Sequence, residues 1–305
     1  MKIIFPKQGE PTAQPDPYII KAEDKYYIYA TGSEGVEVYS SKELFSGWEY
    51  LGIALKEAGM REFWAPCVIE KDGLYYMYYS SLSEKDEDVH KQAIKVAVSS
   101  SPAGGFQYKN TLIKAFSIDP HVVKNDSGYY IFYSANDYES QRAGTYIAVD
   151  KMKDMFTVEN EPVRVVVPTL DEEIFMKNRF RQGQDWHTIE GAFYFSEGSR
   201  HYLMYSGNCY ESEYYFVGYA YAESGELDLR KVPFRKMPSE NTYAPILKRN
   251  EEEEGTGHNS VIKTEGNYYI VYHARDIGNR KPYDTRTARV CPLVVSGENL
   301  YVKRV

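Results

Sequence analysis

This 305-residue sequence predicts an all-β fold, and three observations lead there. Tyrosine supplies 30 residues and aromatics 15% of the chain, an enrichment that favours strands. Turn-forming residues are plentiful, with 22 Gly and 14 Pro. A tyrosine motif also recurs five times, and internal repeats of this length mark arrays of one supersecondary unit. Together these predict a five-bladed β-propeller forming one domain over residues 1–305.

The repeat is a polar or glycine turn, paired aromatics, an apolar spacer, then Tyr and a small residue. Its copies are DKYYIYATG (24–32), DGLYYMYYSS (72–81), SGYYIFYSA (127–135), SRHYLMYSG (199–207) and GNYYIVYHA (266–274). Tyr27, Tyr76, Tyr130, Tyr202 and Tyr269 mark them about 50–70 residues apart, the length of a propeller blade with insertions. A strand-like segment precedes each copy, at 15–21, 65–71, 119–125, 190–196 and 258–264. Another follows, at 35–41, 94–100, 144–150, 216–222 and 287–293. A β-sandwich would also use short strands, but it gives no reason for five equivalent units. No linker divides the chain, and the acidic run Glu251–Glu254 is expected to be a solvated loop.

A net charge of −8 argues against a nucleic-acid partner, whose phosphates demand a basic surface, and against an anionic membrane. No apolar run is long enough to span a bilayer, and the opening MKIIFPKQGE is too short for the apolar region of a signal peptide. Cys67, Cys209 and Cys291 are odd in number and lack metal-type spacing. They are expected to be reduced, Cys67 and Cys209 as core residues, in a cytoplasmic protein.

Aligning the first tyrosine of each pair exposes the chemistry. Ten residues before Tyr26 lies Asp16, ten before Tyr129 lies Asp119, and ten before Tyr268 lies His258. The second unit has Ala65 there, beside Trp64. In the fourth, Glu190 stands twelve before Tyr202, an offset assigned to a longer hairpin, SEGSRH (196–201). The start of each first strand should converge on the axis, gathering three carboxylates, a histidine and a tryptophan in one hollow. Any single Asp or Glu there reads equally well as a turn cap. Three in register do not, because acids brought together are costly to desolvate and force one another's pKa values apart. That is what cleavage of a glycosidic bond needs: an acid for the leaving oxygen and a base for water.

At these residues the chain resembles glycoside hydrolase family 43, over all five units. QPDPYII (14–20) is similar to the segment of the general base, implying that role for Asp16. SIDPHVV (117–123) resembles the segment whose Asp tunes and orients the acid, hence Asp119, and TIEGAFYF (188–195) that of the general acid, hence Glu190. FWAPCVIEKDGLYYMYYS (63–80) implies that Trp64 lines a sugar pocket, although Cys67 stands where many relatives carry Asp. GTGHNSVIKTEGNYYIVYHARD (255–276) implies an axial role for His258. The resemblance implies an inverting enzyme with Asp16 and Glu190 roughly 6.5–9.5 Å apart, acting on an oligosaccharide.

Exo-acting removal of terminal α-L-arabinofuranose or β-D-xylose is the first expectation. An endo-arabinanase or galactan-active relative is the second, and a non-catalytic sugar-binding propeller the reading from another class. No cofactor is required. His258 has two readings, a water-mediated contact to a central calcium or an anchor of the axis, since calcium prefers oxygen ligands. Arg275 and Arg286 are candidates for sugar hydroxyls. Of the two long insertions, 83–92 and 170–187, the second offers Trp186 and His187 as pocket walls.

Overall fold

The computed structural model describes residues 2–3, 13–279 and 284–304. Most of the opening segment 1–10 lies outside them, so its reading as too short for a signal peptide meets no structure. Among the described residues the only helical turns are Val89–Lys91 and Asp171–Glu173, and no helix is long and apolar enough to cross a membrane.

Five sheets follow one another along the chain, antiparallel except for one parallel pairing at Gly144 and His187 in the third, and the architecture is an all-β propeller. The innermost strands are Tyr18–Ala22, Met60–Lys71, Ser117–Asn125, Ile189–Glu197 and Glu253–Thr264. Each turns back into a strand built from a tyrosine repeat: Lys25–Ala30, Leu74–Ser83, Gly128–Asp137, Arg200–Gly207 and Asn267–Asp276. The third strands are Val36–Ser41, Ala93–Ser99, Gly144–Asp154, Phe216–Glu223 and Thr287–Ser296. Four sheets hold four strands. The third holds seven, because short strands between 157 and 187 pair onto its outer part.

The paired aromatics of the repeat follow from period-2 alternation with both faces buried. In the first sheet Tyr27 and Tyr29 pack with Phe63, Val68 and Met77 of the second. Their neighbours Tyr26, Ile28 and Ala30 pack the other way, onto Ile262, Val271 and Val290 of the last. Three further buried clusters join the second sheet to the third, the third to the fourth and the fourth to the fifth. The apolar material is thus spread between neighbouring sheets.

Two expectations are corrected. The run Glu251–Glu254 is not a solvated loop: Glu253 and Glu254 are buried and open the last inner strand. Glu253 accepts from Tyr272 at 2.9 Å and pairs with Arg289 at 2.9 Å. Nor is the fourth hairpin longer. The pairings Ala22 with Lys25, Lys71 with Leu74, Asn125 with Gly128, Glu197 with Arg200 and Thr264 with Asn267 all enclose two turn residues.

The residue equivalent to Asp16, Ala65, Asp119 and His258 is therefore Gly191, and Glu190 stands one position earlier, level with Trp64. The backbone agrees. Asp16 (φ 55°), Ala65 (47°), Asp119 (57°), Gly191 (64°) and His258 (47°) are all left-handed, and the register of the last four inner strands slips beside them. A bulge of this kind re-aims a side chain, and non-glycine residues in this region persist only where surroundings hold them.

Candidate active site

The hold comes from neighbouring sheets. Where the second strand of each sheet passes the bulge, the repeat places Thr31, Ser80, Ser134, Ser206 and His273. Thr31 Oγ1 accepts the N–H of Ala65 at 2.7 Å, and Ser206 Oγ that of His258 at 2.7 Å. Nδ1 of His273 accepts the N–H of Asp16 at 3.0 Å, joining the last sheet to the first. The Gly191 N–H goes to Asp119 Oδ2 at 3.0 Å, so the third carboxylate is fixed against the backbone beside Glu190. Gly191 is needed there, because a Cβ would lie 3.2 Å from the His258 ring at a φ side chains rarely adopt.

Asp16 sits among cationic and hydrogen-bonding groups. Thr31 Oγ1 donates to Oδ2 at 2.6 Å. Oδ1 lies 3.2 Å from His258 Nδ1, 3.3 Å from His273 Nδ1 and 3.6 Å from Arg286 Nη1. Burial alone would push its carboxyl up; His258, His273 and Arg286 outweigh that and hold it well below the usual carboxylate range. Arg286 is itself held by Asp284, Nη2 to Oδ2 at 2.5 Å, and its guanidinium covers the Tyr210 ring at 4.6 Å.

Glu190 has a different environment. Burial, with the charge of Asp16 adding, pushes it up to about 7 against the pull of Arg286 and of its hydrogen bond from Tyr215, whose hydroxyl donates to Oε1 at 2.7 Å. Asp119 is also raised, first by burial and then by the charges of Glu190 and Asp16, against the pull of His258 and the Gly191 N–H. Two acids kept protonated near neutrality beside one kept ionised is the division that acid–base chemistry requires.

Trp64 stands half-buried beside Ala65, its Nε1 donating to Glu62 Oε2 at 3.0 Å. Arg286 and His258 join the site through Asp16. Arg275 does not: it is buried, and its guanidinium donates to the carbonyls of Tyr210, Glu211 and Ser212 at 2.9–3.1 Å, which makes it a clamp on the loop 208–215. Trp186 is corrected too. It is buried, with Tyr138 and Phe180 against its ring and the Arg179 guanidinium at 4.9 Å, so a sugar finds its faces covered. His187 is likewise buried, held by Ala143 and Arg142. The two insertions meet, Arg179 Nη2 donating to His90 Nε2 at 3.1 Å.

The second insertion is anchored by a buried ion pair, Lys236 Nζ to Glu173 Oε1 at 2.6 Å, with Glu173 Oε2 accepting the N–H groups of Thr169 and Leu170. Lys236→Met leaves a charged Glu173 in the interior, so a loss of roughly 3–5 kcal/mol in unfolding free energy is expected. Denaturant titration checks it, and a loss below about 1 kcal/mol would show that the pair carries little.

No group of three or more His, Cys, Asp or Glu among the described residues is placed to hold a metal ion. The Nδ1 of His258 is engaged by Asp16, so these residues form no direct calcium cage. Cys67 is buried, its thiol pushed up to about 11, and its Sγ accepts the Val122 N–H. Cys209 is half-buried.

Comparison with known proteins identifies the family. Residues 10–297 match the sequence profile of Glycosyl hydrolases family 43. The chain belongs to glycoside hydrolase family 43. This family-43 hydrolase is 25% identical over 284 residues to the extracellular exo-α-(1→5)-L-arabinofuranosidase ArbA of Cellvibrio japonicus, covering 85% of this chain and 78% of that one. It is 26% identical over 203 residues to a probable arabinan endo-1,5-α-L-arabinosidase C of Aspergillus clavatus, covering 64% and 59%. A thermostable family-43 glycoside hydrolase superposes with a TM-score of 0.79 at 30% identity, over 96% of this chain and 93% of that one. The protein is a glycosidase, and its substrate class is carbohydrate.

Sequence reasoning passed over two residues of this family-43 site. His273 had a signal, being the one histidine in a column of small hydroxyl residues. Tyr215 had none, because it lies in a loop between strands, outside the repeat.

Proposed function

We propose that the protein is an exo-acting, inverting glycosidase that removes terminal α-L-arabinofuranose or β-D-xylose from plant-derived oligosaccharides, with each of its five sheets serving as a propeller blade. The observation that carries this reading is the contrast between two carboxyls of one site. Asp16 touches His258, His273 and Arg286, whereas the hydrogen bond Glu190 receives comes from a tyrosine hydroxyl. In this reading Asp16 is the base that takes a proton from water, Glu190 the acid that protonates the leaving oxygen, and Asp119 the neighbour that orients the acid by fixing the Gly191 backbone beside it. Trp64 and Arg286 line the sugar pocket. An axial calcium reached from His258 through water belongs to the same proposal and enters no step.

Removal of single terminal residues is supported by the likeness to ArbA. The likeness to the Aspergillus protein keeps endo-action as the second reading. A panel of 4-nitrophenyl glycosides tests the proposal: rapid release from the α-L-arabinofuranoside or β-D-xylopyranoside supports it, and cleavage confined to internal bonds of polymeric arabinan overturns it. The odd count of three cysteines suits a cytoplasmic protein, whereas ArbA is named as extracellular; fractionation of the source cells decides.

The pH profile follows from the same groups. Glu190 must be protonated to act, so kcat/KM is expected to be full below about 7 and to fall as pH rises through it. Asp16 is held below its usual range and stays ionised, so it causes no acid-side loss above the ordinary aspartate value of about 3.9. Initial rates from pH 4 to 10 check this, and activity rising through 7 would refute it.

A further inference from the structure

We propose that Tyr215 is a positioning residue that decides which oxygen of Glu190 carries the catalytic proton, an inference that rests on Glu190 being the acid.

The ring of Tyr215 has no freedom. It is 1% exposed and lies parallel to His273, with 5.7 Å between centroids and 8° between planes. On another side it meets Gly257, where an added Cβ would fall 1.9 Å from Cε1. Its hydroxyl donates to Glu190 Oε1 at 2.7 Å and has no second hydrogen-bond partner among the described residues. Burial and the charge of Glu190 hold the phenol well above its ordinary range, so it keeps its hydrogen. With that hydrogen directed at Oε1, the carboxyl proton of Glu190 belongs on Oε2.

The chemistry follows. The proton on Oε2 passes to the glycosidic oxygen as the bond from that oxygen to the anomeric carbon breaks, and the bonding electrons stay with the leaving oxygen. Water, giving its proton to Asp16, forms the new bond to carbon. Glu190 becomes a carboxylate in the same event. The Tyr215 hydrogen bond, ordinary while Glu190 is neutral, becomes charge-assisted and strengthens as the proton departs, an interaction made stronger in the transition state than in the ground state.

Several groups face Glu190 and share its titration. Asp16 comes from the first sheet, Asp119 from the third, Cys209 and Tyr215 from its own, and Arg286 from the last. His258 of the last sheet contacts the Gly191 position. Removing the Tyr215 donor takes away the one hydrogen bond among these that favours the carboxylate.

The test is Tyr215→Phe, which keeps the ring and its packing. On α-1,5-linked arabinobiose kcat is expected to fall roughly 10- to 100-fold, the range for a hydrogen bond to a charged group, with KM little changed. On 4-nitrophenyl α-L-arabinofuranoside, whose leaving group needs less protonation, the loss is smaller. The alkaline limb of the pH profile moves upward. In a Glu190→Gln background the same substitution adds no further loss. Equal losses on both substrates with an unmoved limb, or a full additional loss in the Glu190→Gln background, would reduce Tyr215 to packing and overturn the proposal. If Glu190→Gln alone fails to discriminate between the two substrates, the assignment of the acid falls first and takes this inference with it.

Discussion

Glu190→Gln is expected to lower kcat/KM by roughly 10²–10⁴-fold on oligosaccharides, the usual contribution of a general acid. On activated aryl glycosides it should retain far more activity. Glutamine fills nearly the same volume and still offers an oxygen to Tyr215, so the change removes a proton donor and little else. A nitrophenolate leaves without protonation, whereas a sugar alkoxide does not. The alkaline limb expected near 7, which the proposed mechanism assigns to Glu190, should vanish from the variant's profile. Comparable losses on both substrate types would point to another acid, with Asp119 next in line because it too is raised.

Asp16→Ala should be as damaging, again by roughly 10²–10⁴-fold, but without regard to leaving group, since the base acts on water. It also removes the partner of His258, His273 and Arg286, so circular dichroism must accompany the kinetics. With the wild-type enzyme, proton NMR within minutes of mixing should show a first product of inverted configuration. Azide added to Asp16→Ala should yield a glycosyl azide of inverted configuration, the small anion entering where the activated water would stand. A retaining enzyme would bring the pair of carboxyls to about 5–5.5 Å and pass through a glycosyl-enzyme. A retained product, or an ester trapped on Asp16, would overturn the mechanism and leave the fold untouched.

Much of this was legible in the sequence because the repeat writes both architecture and register. Paired aromatics mark strands buried on both faces, and counting back ten residues lands on Asp16, Asp119 and His258 without any coordinates. The same count lands on Gly191, and the paired-tyrosine pattern hid this because His201 takes the place of the first tyrosine. Glu190 was found by its chemistry and misplaced by one position. Periodicity carries no information about what a side chain meets beyond its own strand, and that is where the other corrections fall. Trp186 and Arg275 look like pocket residues by type, yet one is enclosed by Tyr138, Phe180 and Arg179 and the other is spent on three carbonyls. Glu253 looked solvated in an acidic run and is the partner of Arg289. A tyrosine such as Tyr215, one among 30, is invisible until the loop that carries it is seen to end on Glu190.

The five left-handed positions have a wider meaning. Ala65 and Gly191 adopt the same backbone conformation as Asp16, Asp119 and His258 although neither brings a reactive group. The backbone geometry is therefore a property of the framework, kept whether or not chemistry uses it. At Asp16, Ala65 and His258 the support comes from a side chain of the adjoining sheet and not from the residue itself, so a side chain there can be exchanged without renegotiating the path of the chain. At Gly191 the His258 ring leaves little room for a Cβ, so in a homologue with other specificity Ala65 is the socket where a new group would cost the scaffold least.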